Sequence, residues 1–371
     1  MHTVLVTGSN GFIGRNLIVS LEKLQNIKVL KYDIENSIDE LRGCIKIADF
    51  VFHLAGVNRP KEVSEYEQGN KGFTEDVLDI IKQSGKKIPI LLASTIQAAM
   101  DNLYGLSKKG AEEAVFEYGR QTGAKIYVYR LPNVFGKWCR PNYNSVVATW
   151  CYNIPRGLPI QINNPETELN LVYIDDVVDE FVNAMNGRAN VGTDGYFFVT
   201  RTFKINLQQL ADMLYSFENS RKTLVVPDFE GDFEKFLYAT YLSYLPEDDF
   251  GYCLEMKHDN RGWLAEFIKS KHFGQIFISR TKPGITRGNH WHHTKAEKFL
   301  VIDGEAVVRF RQINDINVIE HRVSGMDLKV LDIPAGYTHS ITNTGNKDLL
   351  TLFWVDEIFN PEKPDTYYLE I

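Results

Sequence analysis

Short β-branched runs alternate with longer stretches of helical spacing along the first third of the chain. Val4–Val6, Lys28–Tyr32, Phe50–His53, Ile88–Ala93 and Lys125–Arg130 read as strands, and Phe12–Leu24, Val63–Gln83 and Leu106–Thr122 as helices. Strands and helices alternating across short turns predict a parallel sheet covered on both faces. The short connections require right-handed crossovers, which makes the fold a doubly wound α/β domain. From residue 134 to 225 the pattern loosens. Gly157-Leu158-Pro159 marks a turn and Val177–Met185 an amphipathic segment, as in a smaller lobe hung on the sheet. Residues 227–249 are rich in acids and aromatics. Beyond residue 252 the period changes. Gln275–Ser279, Lys298–Ile302, Ala306–Arg311, Val318–His321, Lys329–Ile333 and Leu349–Val355 follow one another with Gly, Asn and Asp between them. That spacing predicts an all-β barrel or jelly roll. The expected domains are residues 1–245 and 246–371.

Composition narrows the function classes. A chain of 371 residues is too long for one ordinary core. A net charge of −7, with no long run of one sign, gives no basic face for nucleic acid or an anionic membrane. The opening MHTVLVTGSNGFIG lacks the basic start and apolar core of a signal peptide. No stretch reaches the roughly 20 apolar residues of a membrane helix. The expectation is a cytoplasmic protein with no nucleic-acid or membrane partner. Cys44, Cys139, Cys151 and Cys253 form no CxxC pair and are assigned no chemistry.

The first strand runs straight into Gly8-Ser9-Asn10-Gly11-Phe12-Ile13-Gly14, with Arg15 following as a helix begins. Glycines allow a tight turn and close approach of the backbone to a ligand, and the helix N-terminus offers free N–H groups to a pyrophosphate. The GxxGxxG spacing resembles the extended, sugar-nucleotide-modifying branch of the short-chain dehydrogenase/reductases. Further segments carry the resemblance in family order. They are His53-Leu54-Ala55-Gly56, Asn70, Ser94-Thr95, Tyr104-Gly-Leu-Ser-Lys108, Arg130-Leu-Pro-Asn133-Val-Phe-Gly136 and Val172-Tyr-Ile-Asp-Asp-Val177. The resemblance implies cofactor contacts from Gly8, Asn10, Gly11, Phe12, Ile13, Gly14, Arg15, Asp33, Leu54, Ala55, Gly56, Asn70 and Lys108. It places Asn133 beside the substrate. Tyr104 and Lys108, four apart, share a helix face. A nearby ammonium is expected to lower the phenol from its ordinary pKa of about 10. Tyr104 then protonates a carbonyl oxygen as hydride arrives, with Thr95, or else Ser94, bonded to the same oxygen. Asp33 is the one acid at a strand end. On the ribose 2′-OH it favours NADH; in the adenine site it leaves Arg15 or Lys31 to meet a 2′-phosphate. A biosynthetic reduction favours NADPH.

The C-terminal region carries Gly284 … His290-Trp-His292 … Glu297 … Gly304, then Pro334-Ala-Gly336-Tyr-Thr-His339 … Asn343. These resemble the two halves of the cupin signature, with Leu328 in place of the second half's leading glycine. Alternation on a strand puts His290 and His292 on one face. Three imidazoles and a carboxylate make a site for a first-row divalent metal, zinc suiting redox-free chemistry. In related barrels such histidines act as acid and base without metal. Arg287-Gly-Asn-His290 is similar to the RGxH of dTDP-hexulose isomerases and epimerases. With Arg261-Gly-Trp263, Gln275, Pro283-Gly284 and Pro364-Asp-Thr366, the whole chain resembles the bifunctional UDP-sugar reductase/epimerases of capsular polysaccharide synthesis.

That resemblance implies a UDP-2-acetamido-2,6-dideoxy-4-hexulose as substrate. The cupin would epimerise C3, and the reductase would reduce the C4 ketone to a 6-deoxytalose-type sugar on the way to N-acetyl-L-fucosamine. Arg287 and Tyr337 are the candidate substrate contacts there, and His290, Tyr337 and Glu297 the candidate bases. A 3,4-ketoisomerase and a non-catalytic sugar-binding or dimerising module stand as alternatives. A homodimer is the family expectation.

Overall fold

The computed structural model describes residues 1–313 and 315–371. Its chain falls into two compact units, Met1–Leu214 with Phe236–Pro246, and Tyr215–Lys235 with Glu247–Ile371.

The first unit opens with β1 (His2–Thr7), α1 (Phe12–Leu21), β2 (Ile27–Tyr32), α2 (Ile38–Ile47) and β3 (Phe50–His53). It continues with α3 (Ser64–Tyr66), a π-helical turn at Glu67–Gly72, α4 (Phe73–Gln83), β4 (Ile90–Thr95), α5 (Leu103–Thr122) and β5 (Ile126–Leu131). Strand order is β2-β1-β3-β4-β5, every pair parallel. The expected doubly wound sheet is present. Its order reverses between β1 and β3, and the crevice at such a switch point is where ligands of this architecture bind.

Local chemistry explains the helices. Ser37 and Glu40 form a reciprocal capping box at the start of α2. Asn102 caps α5 through the Gly105 N–H at 2.8 Å, and Gly123 ends it in the left-handed region. One sheet face is sealed by Leu41 and Ile45 of α2, Val77 and Ile81 of α4, and Ala111, Val115 and Tyr118 of α5. On the other face Phe52 stacks on Phe181, a residue of the helix that continues the amphipathic Val177–Met185 segment. Each fully buried side chain of this size contributes about 1.5–3 kcal/mol. Sequence spacing predicts one helix over Val63–Gln83. The structure divides it with the π turn, which carries buried Asn70.

The rest of this unit holds β6 (Asn133–Phe135), α6 (Val146–Asn153), β7 (Glu168–Tyr173), α7 (Ile174–Met185) and β8 (Phe203–Asn206). The three strands form a small sheet, β6-β7-β8. Helices α8 (Leu207–Thr223) and α9 (Asp232–Leu242) follow.

The second unit contains β9 (Met256–Asp259), β10 (Gly262–Ser270), β11 (Gly274–Thr281), β12 (Thr286–Trp291), β13 (Glu297–Asp303) and β14 (Glu305–Gln312). It ends with β15 (Val318–Ser324), β16 (Val330–Ile333), β17 (Tyr337–Asn343), β18 (Leu349–Val355) and β19 (Tyr367–Tyr368). Residues 224–226 join its edge, with Val226 N–H bonded to the Lys269 carbonyl at 2.9 Å. Two sheets form, β16-β13-β18-β11-β10-β9 and β15-β14-β17-β12-β19, each antiparallel. They share one core, with Phe299, Leu331 and Phe353 from one sheet against Val308, Phe310 and Ile341 from the other. The expectation of an all-β unit holds, and its form is a double sheet.

Beneath the sheet of the first unit lies a buried ion pair. Ser94 of β4 is paired in register with Arg130 of β5, so their side chains lie side by side, and both reach Glu112 on α5. Ser94 Oγ donates to Glu112 Oε1 at 2.5 Å, and Arg130 Nη2 to Oε2 at 2.6 Å. Tyr196 OH accepts from Arg130 Nη2 at 2.8 Å. Glu112 is 1% exposed. Removing one partner strands the other charge, at a cost of about 3–5 kcal/mol for a fully buried pair. Glu112→Ala is therefore expected to lower unfolding stability by about 3 kcal/mol in denaturant titration, and Glu112→Gln by less.

Candidate active sites

In the first unit the predicted cofactor residues gather at the carboxyl ends of β1 to β4. Gly8 has φ +69°, and a Cβ there would stand 2.7 Å from the Ala55 nitrogen. A Cβ on Gly14 would stand 2.2 Å from the Gly8 carbonyl. Glycine is thus required twice, once for the turn after β1 and once for α1 to dock on that turn. Gly11 starts α1 without any side-chain cap, leaving the first N–H groups, including those of Phe12 and Ile13, for an anion. Leu54, Ala55 and Gly56 follow β3 across the switch point, with Leu54 N–H bonded to the Thr7 carbonyl at 3.2 Å.

Asp33 follows β2 directly. Its Oδ2 accepts the Asn10 N–H at 2.6 Å and its Oδ1 the Ile34 N–H at 2.9 Å. Lys31 is paired with Glu22 at 2.8 Å, while the Arg15 guanidinium lies 5.6 Å from the Trp138 ring centre. Asn70 is fully engaged. It accepts from Val57 N–H and donates to the Val57 carbonyl, both at 2.9 Å, and donates to Ser107 Oγ at 3.0 Å. A Cβ on Gly56 would lie 2.8 Å from Asn70 Oδ1 and 3.6 Å from Lys108 Nζ. The structure therefore brings the 54–56 turn, Asn70 and Lys108 together.

Lys108 Nζ donates to the Ala93 carbonyl at 2.9 Å. Burial pushes its ammonium down to about 8, against the raising effect of Glu112. The Tyr104 phenol behaves otherwise than spacing suggests. Burial pushes it above its ordinary value, a hydrogen bond with Asn58 opposing this. The lowering expected from Lys108 is therefore not the direction found. Shared helix face places the two residues on one side of α5, but the ammonium is spent on the tip of β4. Alternation also separates the two candidate hydroxyls. Ser94 points to the α5 face and donates to Glu112, whereas Thr95 points away and accepts the Gln97 N–H, at 3.2 Å. Asn133 is exposed, with its amide on the Asn170 carbonyl at 3.3 Å.

In the second unit His290, His292, Glu297 and His339 converge. Their ligand atoms all lie within 4.8 Å of one another. A β-bulge makes this possible. Gly288 faces Ser340 across the ladder, yet the next pair is His290 with His339. Asn289 is the extra residue, at φ +58°, and Gly288 stands at φ +98°. A bulge shifts the face of every later side chain. It puts His290 on the inward face with His339, and keeps Arg287, opposite Ile341, on that face too. Arg287 Nε donates to Thr281 Oγ1 at 2.9 Å, while Nη2 is buried without a partner. Tyr337, two residues before His339 on β17, packs against the core.

The donor chemistry fits a cation. His292 Nδ1 lies 2.5 Å from the Asp365 carbonyl and His339 Nδ1 3.4 Å from the Tyr337 carbonyl. A carbonyl only accepts, so each Nδ1 carries a proton, which leaves each Nε2 as the ring atom that can offer a lone pair. Those Nε2 atoms are buried without hydrogen-bond partners. They face Glu297 at 3.4 Å and 3.3 Å. In neutral rings these lone pairs would point at a carboxylate, an arrangement that a cation between them relieves. Burial pushes His290 down to about 4, so it is neutral at pH 7 and able to ligate.

His290 and Glu297 also open into a cavity of about 240 Å³, whose wall includes Gln275, Phe277, Lys295, Glu266 and Thr366. One of these, Lys295, is invisible to motif reading. Lys295 is 7% exposed, with Nζ on Thr366 Oγ1 at 2.7 Å. Asp365, distant in sequence, binds the loop after His292. Glu112 had a signal: it lies four residues after Lys108 and eight after Tyr104, on the same helix face.

The NAD dependent epimerase/dehydratase family matches residues 4–197, and the polysaccharide biosynthesis C-terminal domain matches residues 257–367. The chain is 45% identical over 364 residues to the UDP-2-acetamido-2,6-beta-L-arabino-hexul-4-ose reductase of Pseudomonas aeruginosa, covering 98% of this chain and 97% of that one. It is 48% identical to the crystal structure of the capsular polysaccharide assembling protein CapF from Staphylococcus aureus. That match has a TM-score of 0.93 over 99% of this chain and 100% of the other. The UDP-glucuronic acid 4-epimerase from Bacillus cereus, in complex with NAD, shares the fold of the first unit. It is 18% identical with a TM-score of 0.55, over 65% of this chain and 98% of the other. Among the described residues no helix is long and apolar enough to cross a membrane. The chain belongs to the NAD-dependent epimerase/dehydratase family, among the two-domain UDP-sugar reductase/epimerases of capsular polysaccharide synthesis, which are NAD(P)-dependent enzymes of nucleotide sugars.

Proposed function

We propose that the two halves act in turn on one UDP-2-acetamido-2,6-dideoxy-4-hexulose. Residues 246–371, as a cupin, invert C3 beside the ketone, and residues 1–245 reduce the C4 ketone to a 6-deoxytalose-type UDP-sugar. The observation that carries this reading is the buried set of two imidazole Nε2 atoms facing a carboxylate, joined by His290 at the wall of a cavity. The substrate named for the P. aeruginosa relative supports the sugar.

A divalent metal, zinc in this reading, would be held by His290, His292, Glu297 and His339, and supplies Lewis acidity beside the carbonyl. Protein groups do the rest. Loss of the proton at C3 moves its electron pair toward C4–O, and a proton returned to the opposite face of C3 inverts the centre. Arg287, with one unpartnered guanidinium nitrogen on the inward face, orients the substrate. His290 lines the cavity as a neutral imidazole and is the candidate proton acceptor whenever it is not a ligand.

In the reductase, NADPH supplies hydride to C4. Arg15 has no carboxylate partner among the described residues, which leaves it as the cation that could meet a 2′-phosphate. Tyr104 gives its proton to the C4 oxygen, Thr95 donates a hydrogen bond to it, and Lys108 holds positive charge beside them. A neutral phenol, favoured by burial, suits the proton donor.

Four outcomes test the reading. Tyr104→Phe is expected to slow ketone reduction about 10²–10⁴-fold in stopped-flow assays, with NADPH affinity changed less than about threefold. Thr95→Ala should cost more than Ser94→Ala, because Ser94 serves Glu112.

The pH dependence follows from Lys108. Its folded value near 8 lies below the unfolded 10.5, so the ammonium is present below about pH 8 and is lost as pH rises through it. The reductase kcat/KM should fall across that range, and Lys108→Met should abolish the fall. Stability moves the other way, rising between those two values because the unfolded chain then binds more protons.

Finally, stripping metal with a chelator should stop solvent deuterium entering C3 of the 4-ketone in the absence of NADPH, while reduction of pre-epimerised ketone continues. NMR of the product reads this; a 3-ketone would indicate a 3,4-ketoisomerase instead.

A further inference from the structure

The candidate metal ligands come from β12, the turn after it, β13 and β17. The ring plane of His292 is set from elsewhere, by the last residues of the chain. The Asp365 carbonyl accepts Nδ1–H of His292 at 2.5 Å. The carboxylate of the same residue closes the turn that follows. Its Oδ1 accepts the His293 N–H at 2.9 Å, and its Oδ2 accepts the Thr294 N–H at 2.8 Å, the Lys295 N–H at 2.9 Å and Thr294 Oγ1 at 3.1 Å. The strap then runs on along β12. Tyr367 and Tyr368 pair with Trp291 and His290, and Leu369 N–H bonds the Asn289 carbonyl at 2.9 Å.

We propose that Asp365 is a positioning residue for the metal centre: its carboxylate gathers the 293–295 turn, and this sets its own carbonyl against His292, fixing the ring and tautomer whose Nε2 meets the metal. A residue with both functions couples the turn to the ligand rigidly, since carboxylate and carbonyl are separated by only two carbon atoms' reach. Partners on the far nitrogen of a ligating histidine typically alter metal affinity about 10–100-fold. The inference rests on the metal reading above and goes beyond it by making the ligand set depend on a residue some seventy positions away in sequence.

The test uses the full chain, stripped of metal and titrated with Zn²⁺ against a chromophoric chelator. Asp365→Ala is expected to weaken Zn²⁺ binding about 10–100-fold and to change the visible d–d bands of the Co²⁺-loaded protein. Thr366→Val removes the Lys295 contact but leaves Asp365 in place, and should keep both readouts at the wild-type level. If Asp365→Ala does not fold, Asp365→Asn, equal in size but unable to accept at both atoms, is read the same way. Wild-type Zn²⁺ affinity and an unchanged Co²⁺ spectrum in the Asp365 variants would overturn the inference alone, as would an equal loss in Thr366→Val. A wild-type chain that takes up no metal would overturn the metal reading and this inference with it.

Discussion

A β-strand sends successive side chains to opposite faces, and the chemistry of both units depends on how that rule is handled at single residues. At the tip of β4 it is obeyed. Ser94 goes to the α5 face and is bound by Glu112, leaving Thr95 as the hydroxyl not committed to the ion pair. In β12 the rule is broken. The bulge at Asn289 turns His290 to the face of His339, three residues from Arg287 on that same inward face. Strict alternation would put Arg287 and His290 on opposite sides of the sheet.

These two devices lie on frames of different kinds. In the parallel sheet the site forms where strand order reverses, so segments from after β1, β3 and β4 meet without any one of them being unusual. Close backbone approach is what makes the glycines specific, as the 2.7 Å and 2.2 Å limits at Gly8 and Gly14 require. In the double sheet the site lies inside the unit, among buried groups. The four ligands there come from β12, the turn after it, β13 and β17, and the bulge brings His290 into register with His339.

Much of this was legible in the sequence. The period change after residue 252 separated an α/β half from an all-β half, and the HxH … E … H spacing named the four residues that converge. The GxxGxxG turn, the 54–56 segment and Asn70 fell where family order put them. What spacing could not supply was the direction of individual polar atoms. Tyr104 and Lys108 share a face, but whether Nζ reaches the phenol or the Ala93 carbonyl depends on how α5 lies against β4. The bulge was present in the sequence as Gly288-Asn289, two residues tolerant of positive φ, although alternation between His290 and His292 reads correctly without it. Asp365 stood in the sequence only as part of the Pro364-Asp-Thr366 segment, and its role had no signal because its partners are assembled by the fold.

Desolvation links the two halves more deeply than their shared substrate class. In the first unit burial lowers Lys108 and raises Tyr104. Each shift favours the neutral form, so a buried ammonium persists there only through nearby acceptors and the Glu112 charge. In the second unit burial keeps His290 neutral and leaves the Nε2 atoms of His292 and His339 without partners. A protein interior tolerates such groups poorly unless something compensates them. The compensation inside the first unit is a protein carboxylate, already in place. In the second unit the Nε2 atoms of His292 and His339 face the Glu297 carboxylate, an arrangement whose charge and donor set suit a cation held between them. The order of dependence thus runs from backbone geometry to burial, from burial to protonation state, and from protonation state to what each site can hold.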